Sequence, residues 1–185
     1  MNRKIINIFG SSGSGSTTLA REISRSFLYL HVDVDDALWE KTEPPFSIRR
    51  SDVEARKHIL DKLKTRRNIV ISGSLVGFGD DIKEMIDMFV FINLDIKTRL
   101  ERIQKREELR FGSRVIPGGD LYQKHLDFLK WVSDYETNPE YIRSRKQHLL
   151  WLEDVNVPIL KVTENLSIEE LINLVKPFVK RDKNV

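Results

Sequence analysis

Gly10-Ser11-Ser12-Gly13-Ser14-Gly15-Ser16-Thr17-Thr18 follows a short apolar run, Ile5 to Phe9, and precedes Leu19, Ile23 and Phe27 at helical spacing. That order reads as strand, glycine loop, helix. The spacing matches the phosphate-cradling pattern G-x-x-x-x-G-K-[ST], whose glycines let backbone N–H groups converge on polyphosphate oxygens at the positive end of a helix. One position departs: Ser16 stands where lysine is expected. Thr17 still offers the hydroxyl that would ligand Mg²⁺, and Gly10, Gly13 and Gly15 still permit the tight backbone path. With Ser11, Ser14, Ser16 and Thr18 these residues form the expected nucleotide-phosphate site, an anion nest without its point charge. A glycine-serine run can also be a flexible linker, but linkers do not separate a buried-type strand from an amphipathic helix.

The wider composition bounds the answer. A chain of 185 residues fits one domain with a core large enough to need no covalent staples. It contains no cysteine, which excludes disulfides and thiolate metal sites and fits a reducing cytoplasm. Met1-Asn2-Arg3-Lys4 leads straight into a strand too short for a signal segment or a membrane span, so a soluble, unprocessed chain is expected. The formal charge is only +3, and acidic and basic residues are interspersed apart from a small tail at Lys180 to Lys183. That pattern argues against a nucleic-acid footprint.

Outward from the loop, a second strand is expected from Phe27 to Val32, running into Asp33-Val34-Asp35-Asp36. In open α/β sheets the carboxyl ends of strands face the ligand crevice. If extended pairing persists, Asp33 and Asp35 share a face, where one carboxylate can orient an acceptor hydroxyl and another can organise Mg²⁺. Capping of a following helix, for which Asp36 is well placed, is the competing reading. Glu43-Pro44-Pro45-Phe46 is a rigid turn, after which Ser51 and Glu54 form a capping box for a helix over Val53, Ala55, Ile59 and Leu63. Arg49 and Arg50 at that helix start are candidates for an anionic acceptor, or ordinary solvated cations.

A third strand, Ile69-Val70-Ile71, ends in Ser72-Gly73-Ser74 rather than in an acidic residue. Gly73 and Ser74 are therefore acceptor-side candidates, and Mg²⁺ organisation falls to Thr17 and Asp33. A fourth strand spans Met88 to Ile92, and the following basic helix carries Arg102 and Arg106 four apart, hence on one face. Such a pair can reach donor phosphates, spread the charge that develops during transfer and stand in for the missing lysine, or it can pair with Glu101 and Glu107 in solvent. The turn-rich Pro117-Gly118-Gly119-Asp120 reads as a hinge or lid. Helices over Leu121 to Tyr135 and Glu140 to Glu153 follow, with Arg143 and Arg145 flanking Ser144 as further phosphate candidates. Pro158 to Val162 is a fifth strand, and Ser167 with Glu170 caps a closing helix. His31, His58, His125 and His148 lack ligand spacing and read as surface or half-buried histidines.

Together the opening motif, the D-x-D after the second strand and the R-x-x-x-R helix after the fourth resemble the P-loop small-molecule and nucleoside monophosphate kinases: adenylate, cytidylate, shikimate and gluconate kinases. Asp35-Asp36, Pro44-Pro45-Phe46, Ser72-Gly73-Ser74, Pro117-Gly118-Gly119-Asp120 and Arg143-Ser144-Arg145 are similar to a bacterial adenylate-kinase-like group, often labelled AAA-family, that also lacks the loop lysine. The resemblance implies a three-layer α/β fold, with a five-stranded parallel sheet ordered 2-3-1-4-5, helices on both faces and a small lid. It implies a single domain with an acceptor-binding region at about 36–66 and a lid at about 106–120. Asp33 and Asp35 resemble the paired aspartates of shikimate-type kinases, and Arg102 and Arg106 the paired arginines at an adenylate kinase lid.

The expected activity is an ATP- and Mg²⁺-dependent phosphotransferase acting on a small molecule or nucleotide, working as a monomer or homodimer. Asp35, Arg102 and Arg106 are its candidate catalytic residues, with Asp33, Arg49, Gly73, Ser74, Arg143 and Arg145 toward the substrate. A nucleotide-binding regulator or slow ATPase without a transfer substrate is the rival reading.

Overall fold

In a computed structural model that describes residues 3–179, five strands form one parallel sheet. They are β1 (Ile5–Gly10), β2 (Leu30–Asp33), β3 (Ile69–Ser72), β4 (Met88–Ile92) and β5 (Ile159–Val162), in the order β2-β3-β1-β4-β5. The central strands are apolar apart from the buried Asn7 of β1 and Ser72 of β3, because both faces are covered. Alternation then assigns each side chain to a face. Ile5 and Phe9 of β1, with Phe89 and Phe91 of β4, enter one core, while Ile6, Ile8, Val90 and Ile92 enter the other.

The second core is closed by α1 (Ser16–Phe27) and α8 (Ile168–Val179), through Leu19, Ala20 and Ile23 of the former and Leu171 and Val175 of the latter. The first is closed by α2 (Val34–Leu38), α3 (Asp52–Leu63), α4 (Asp80–Lys83) and α7 (Arg145–Trp151), with Ala37, Ala55, Ile59, Ile82 and Trp151 buried among the strand residues. The result is the expected three-layer α/β sandwich. Helices α5 (Ile96–Phe111) and α6 (Tyr122–Ser133) pack on each other beyond β4, joined by a 3₁₀ turn at Gly112–Val115.

Local chemistry sets the boundaries, and it corrects several expectations. Phe27 is the last residue of α1, followed by Leu28 at φ 60, so β2 starts three residues later than the apolar run suggests. Extended pairing does not continue past Asp33. Its carboxylate accepts the Asp35 N–H at 3.1 Å and caps α2, which puts Asp35 and Asp36 in a first helical turn favoured by the helix dipole. Asp33, not Asp36, is the cap. The Ser51/Glu54 capping box is present, and Ser167 and Glu170 bond reciprocally before α8. The segment 140–144 is turns rather than helix, because Ser144 caps α7 by accepting the Gln147 N–H. The basic tail at Lys180 to Lys183 lies outside the described residues. Among the described residues no helix is long and apolar enough to cross a membrane.

Candidate active site at the carboxyl edge of the sheet

All five strands are parallel, so their carboxyl ends share one edge. The glycine loop leaves β1 there and enters α1 through Gly15, whose left-handed backbone caps the helix with no side-chain bond, leaving first-turn N–H groups for a ligand. Gly13 is left-handed too, and it also lies directly on the main chain of Arg99 in α5, where a Cβ would stand 2.7 Å from the Arg99 carbonyl oxygen. Ser11 and Ser14 are buried, and their hydroxyls have no partner among the described residues. Buried hydroxyls ordinarily find partners. Two in one loop fit a polyphosphate that would accept their protons. Thr17 sits in the first turn of α1, half-buried, where its hydroxyl fits a Mg²⁺ ligand.

The second half of the candidate site is built on β2 and β3. Asp33 pairs in register with Ser72, which pairs with Ile8 of β1. Gly73 donates its N–H to Ile8 O at 2.9 Å, and its carbonyl receives Asn7 Nδ2 at 3.1 Å. A Cβ at Gly73 would stand 2.8 Å from that of Val34, so the strand end lies against the Asp33-Val34-Asp35 turn. Burial, and then the neighbouring Asp35 carboxylate, push the Asp33 carboxyl up to about 6. Arg143 faces Asp35 at 4.0 Å and makes no hydrogen bond among the described residues. Burial holds its guanidinium below the ordinary arginine range, with Asp35 opposing that shift. Asp33, Asp35, Gly73, Ser74 and Arg143 thus share one end of the molecule.

Other candidates are engaged elsewhere. Arg49 pairs with Asp52 within its own helix start, while Arg50 donates to the carbonyls of Asp36, Ala37 and Trp39 and so serves the backbone. Arg145 pairs with Glu136, which also faces Arg99, away from Asp35. Arg106 bonds Glu107 at 3.0 Å and lies over Phe128 rather than over the loop. Arg102 does reach the loop: it donates to Gly13 O at 3.4 Å and Ser14 O at 3.2 Å, and to Asn165 Oδ1 after β5 at 2.6 Å. Sharing a helix face does not give the two arginines the same partners.

The segment at 110–124 closes down on the 43–47 loop. Arg114 is held between Asp120 and Glu43, Lys124 donates to Pro45 O at 2.9 Å and Phe46 O at 3.1 Å, and Arg110 lies over the Phe46 ring.

Sequence reasoning missed Arg99, His148 and Asn165. Arg99 is fully buried: its Nε donates to Leu94 O, its guanidinium covers the Tyr135 ring, and its backbone carries Gly13. His148 is 1% exposed and His125 7%, which corrects their reading as surface or half-buried histidines. The helical spacing of His148 with Leu152 and Trp151 was the available signal. Among the described residues no cluster of three or more His, Asp or Glu side chains could hold a metal ion.

Comparison with known proteins gives several likenesses. No family model matches the chain. The uncharacterized protein YqaC of Bacillus subtilis strain 168 is 33% identical over 177 residues, covering 96% of this chain and 98% of YqaC. A cytidylate kinase of Thermococcus sibiricus is 31% identical over 119 residues, 58% of this chain and 60% of that kinase. Among solved structures, a gluconokinase from Sinorhizobium meliloti 1021 superposes with a TM-score of 0.55 at 19% identity, over 96% of this chain and 92% of its own. That likeness shows a shared fold.

Proposed function

This chain belongs to the family of Bacillus subtilis YqaC, and we propose for that family member an ATP- and Mg²⁺-dependent phosphotransferase that moves the γ-phosphate to a hydroxyl of a small anionic acceptor. One observation carries the reading. An anion-ready glycine loop and a raised-pKa carboxyl beside Asp35 and Arg143 lie at the same edge of one sheet, joined through the Gly73 to Ile8 hydrogen bond. The cytidylate kinase and gluconokinase likenesses support the same reaction class.

In this reading the main-chain N–H groups of Gly13 to Thr17 hold the β-phosphate, and the Ser11 and Ser14 hydroxyls donate to phosphate oxygens. Mg²⁺ on the Thr17 hydroxyl would draw charge from those oxygens. Asp35 and Arg143 hold the acceptor, Arg143 taking its anionic group. Asp33 accepts the acceptor's hydroxyl proton as the new O–P bond forms and the bond to the β-phosphate oxygen breaks, releasing ADP. Region 36–66 would carry the acceptor and 106–120 the lid. Ser16 favours a second reading, a nucleotide-binding regulator or slow ATPase, because the loop has no side-chain cation of its own.

ADP release from ATP and Mg²⁺ across nucleoside monophosphates, nucleosides and small hydroxy acids separates the two. Stimulation by one acceptor, lost in Asp35→Asn, is the expected result; ATP binding without stimulation by any of them favours the regulator.

Arg102 is the cation that reaches the loop, so Arg102→Ala is expected to weaken ATP binding about tenfold or more, the worth of one charge-assisted contact. Ser16→Lys in the same chain is expected to restore most of that affinity by calorimetry. If the second change restores nothing, Arg102 does not stand in for the lysine.

A further inference from the structure

Behind the acceptor end runs a buried relay of three side chains that the reading above leaves unused. The Tyr135 hydroxyl lies 2.9 Å from His148 Nδ1, and His148 Nε2 lies 2.9 Å from Ser74 Oγ. None of the three is more than 4% exposed. The imidazole packs edge-to-face against the adjacent Phe9 and Phe91 rings, at 5.2 Å and 6.0 Å. Burial, and then the charge of Arg143, hold the His148 pKa down to about 3, so the ring is neutral, with one nitrogen donating and the other accepting.

The direction of the relay follows from its ends. Burial raises the Tyr135 phenol above its ordinary range, so it keeps its proton, and if that buried O–H is to have an acceptor among the described residues, the acceptor is His148 Nδ1 at 2.9 Å. Donation there makes His148 the Nε2–H tautomer, which donates to Ser74. Ser74 Oγ also receives the Val76 N–H at 3.3 Å. With both acceptor positions filled, the Ser74 hydroxyl proton has no acceptor among the described residues. Ser74 follows Gly73 at the end of β3, and Arg143, whose charge acts on His148 and which faces Asp35, makes no hydrogen bond among the described residues. Gly73, next to Ser74, lies against Val34 in the Asp33-Val34-Asp35 turn, and Arg143 faces Asp35 in that turn, so the Ser74 hydroxyl and the Arg143 guanidinium lie at the same end of the molecule.

We propose that Tyr135 and His148 are a positioning pair that fixes the Ser74 hydroxyl as a hydrogen-bond donor to an anionic oxygen, phosphate or carboxylate, of the acceptor held by Arg143. This rests on the acceptor-end reading above. A donor that cannot turn into an acceptor selects for an anionic oxygen and against a ligand that presents an N–H or O–H there.

Imidazole ¹⁵N spectra of the labelled full chain test it without any turnover, with His148→Gln identifying the resonances. The expected result is an unprotonated Nδ1 and a protonated Nε2 in the wild type, with Tyr135→Phe moving the ring toward the other tautomer. An Nδ1–H ring in the wild type, or a Tyr135→Phe spectrum identical to it, overturns the assignment. Titration with inorganic phosphate, and separately with acetate, is expected to shift the His148 Nε2 resonance through Ser74. Response to one probe names the anion, and loss of the response in Ser74→Ala traces it to this hydroxyl. A wild-type ring that responds to neither overturns the subsite. With an acceptor that turns over, Ser74→Ala should raise its KM about tenfold with kcat little changed. Absence of turnover with every acceptor would count against the phosphotransferase and leave the tautomer result standing.

Discussion

Gly13→Ala is expected to abolish measurable ATP binding, a loss of at least about 100-fold by calorimetry, while the rest of the chain still folds. Two costs add at this position. Gly13 sits at φ +83, a region that costs an L-residue about 1 to 2 kcal/mol. Its new Cβ would also stand 2.7 Å from the Arg99 carbonyl oxygen and 3.1 Å from the Arg99 Cα, which are backbone atoms of α5. That helix cannot retreat easily, because Arg99 is fully buried with its guanidinium tied to Leu94 O and covering Tyr135. The loop must move instead, and with it the N–H groups and the Ser14 hydroxyl that would meet the phosphates. Gly15→Ala is the informative comparison. Its φ of +96 carries similar backbone strain, but its Cβ would meet only Arg102 Nη1 at 3.5 Å, the far end of a flexible side chain. A clearly milder loss is expected there. Equal losses in the two variants would mean that backbone strain, rather than the Arg99 contact, sets the loop.

The fold was legible because its signals are local. A glycine loop between an apolar run and a helical pattern fixes β1 and α1, and the continuous apolar character of Ile69 to Ile71 and Met88 to Ile92 requires a sheet covered on both faces. Boundaries failed where one side chain decides between two local structures. Asp33 turns an expected strand continuation into a helix cap, and Ser144 starts α7 where a longer helix was expected. The site was legible only in part because its remaining members come together through tertiary packing. Spacing puts Arg102 and Arg106 on one face, but the loop carbonyls and Asn165 reach only the first, and Phe128 and Glu107 take the second. Nothing in the local sequence marks Arg99 as the floor under Gly13, or joins Ser74 to a histidine 74 residues away. Those pairings exist only once α5 and α7 have docked.

Asp33→Asn is expected to stabilise the chain at pH 7.5 by about 3 kcal/mol and to slow transfer by at least about 100-fold, a combination that ordinary structural residues do not give. Burial first, and the Asp35 carboxylate second, raise the folded-state pKa from 3.8 to about 6, even though the Asp35 N–H bond pulls it down. The fold therefore favours the protonated carboxyl. Its stabilising contribution is fully present below pH 3.8 and is lost as pH rises through about 6, so the ionised group at neutral pH carries a cost of about 3 kcal/mol. Asparagine keeps an oxygen for the Asp35 N–H and carries no charge at any pH. Its advantage over the wild type should therefore grow between pH 4 and 6 and stay level above that, measured by urea unfolding of the ligand-free chain. Transfer should run the other way, rising in the wild type with an apparent pKa near 6 as the carboxylate becomes able to take the acceptor proton. A variant less stable than the wild type at pH 7.5 would make Asp33 a helix cap and nothing more. A gain in stability with unchanged turnover would leave its burial unexplained by the chemistry and move the base to Asp35. A fold keeps a carboxylate where ionisation costs stability when a carboxylate is needed there.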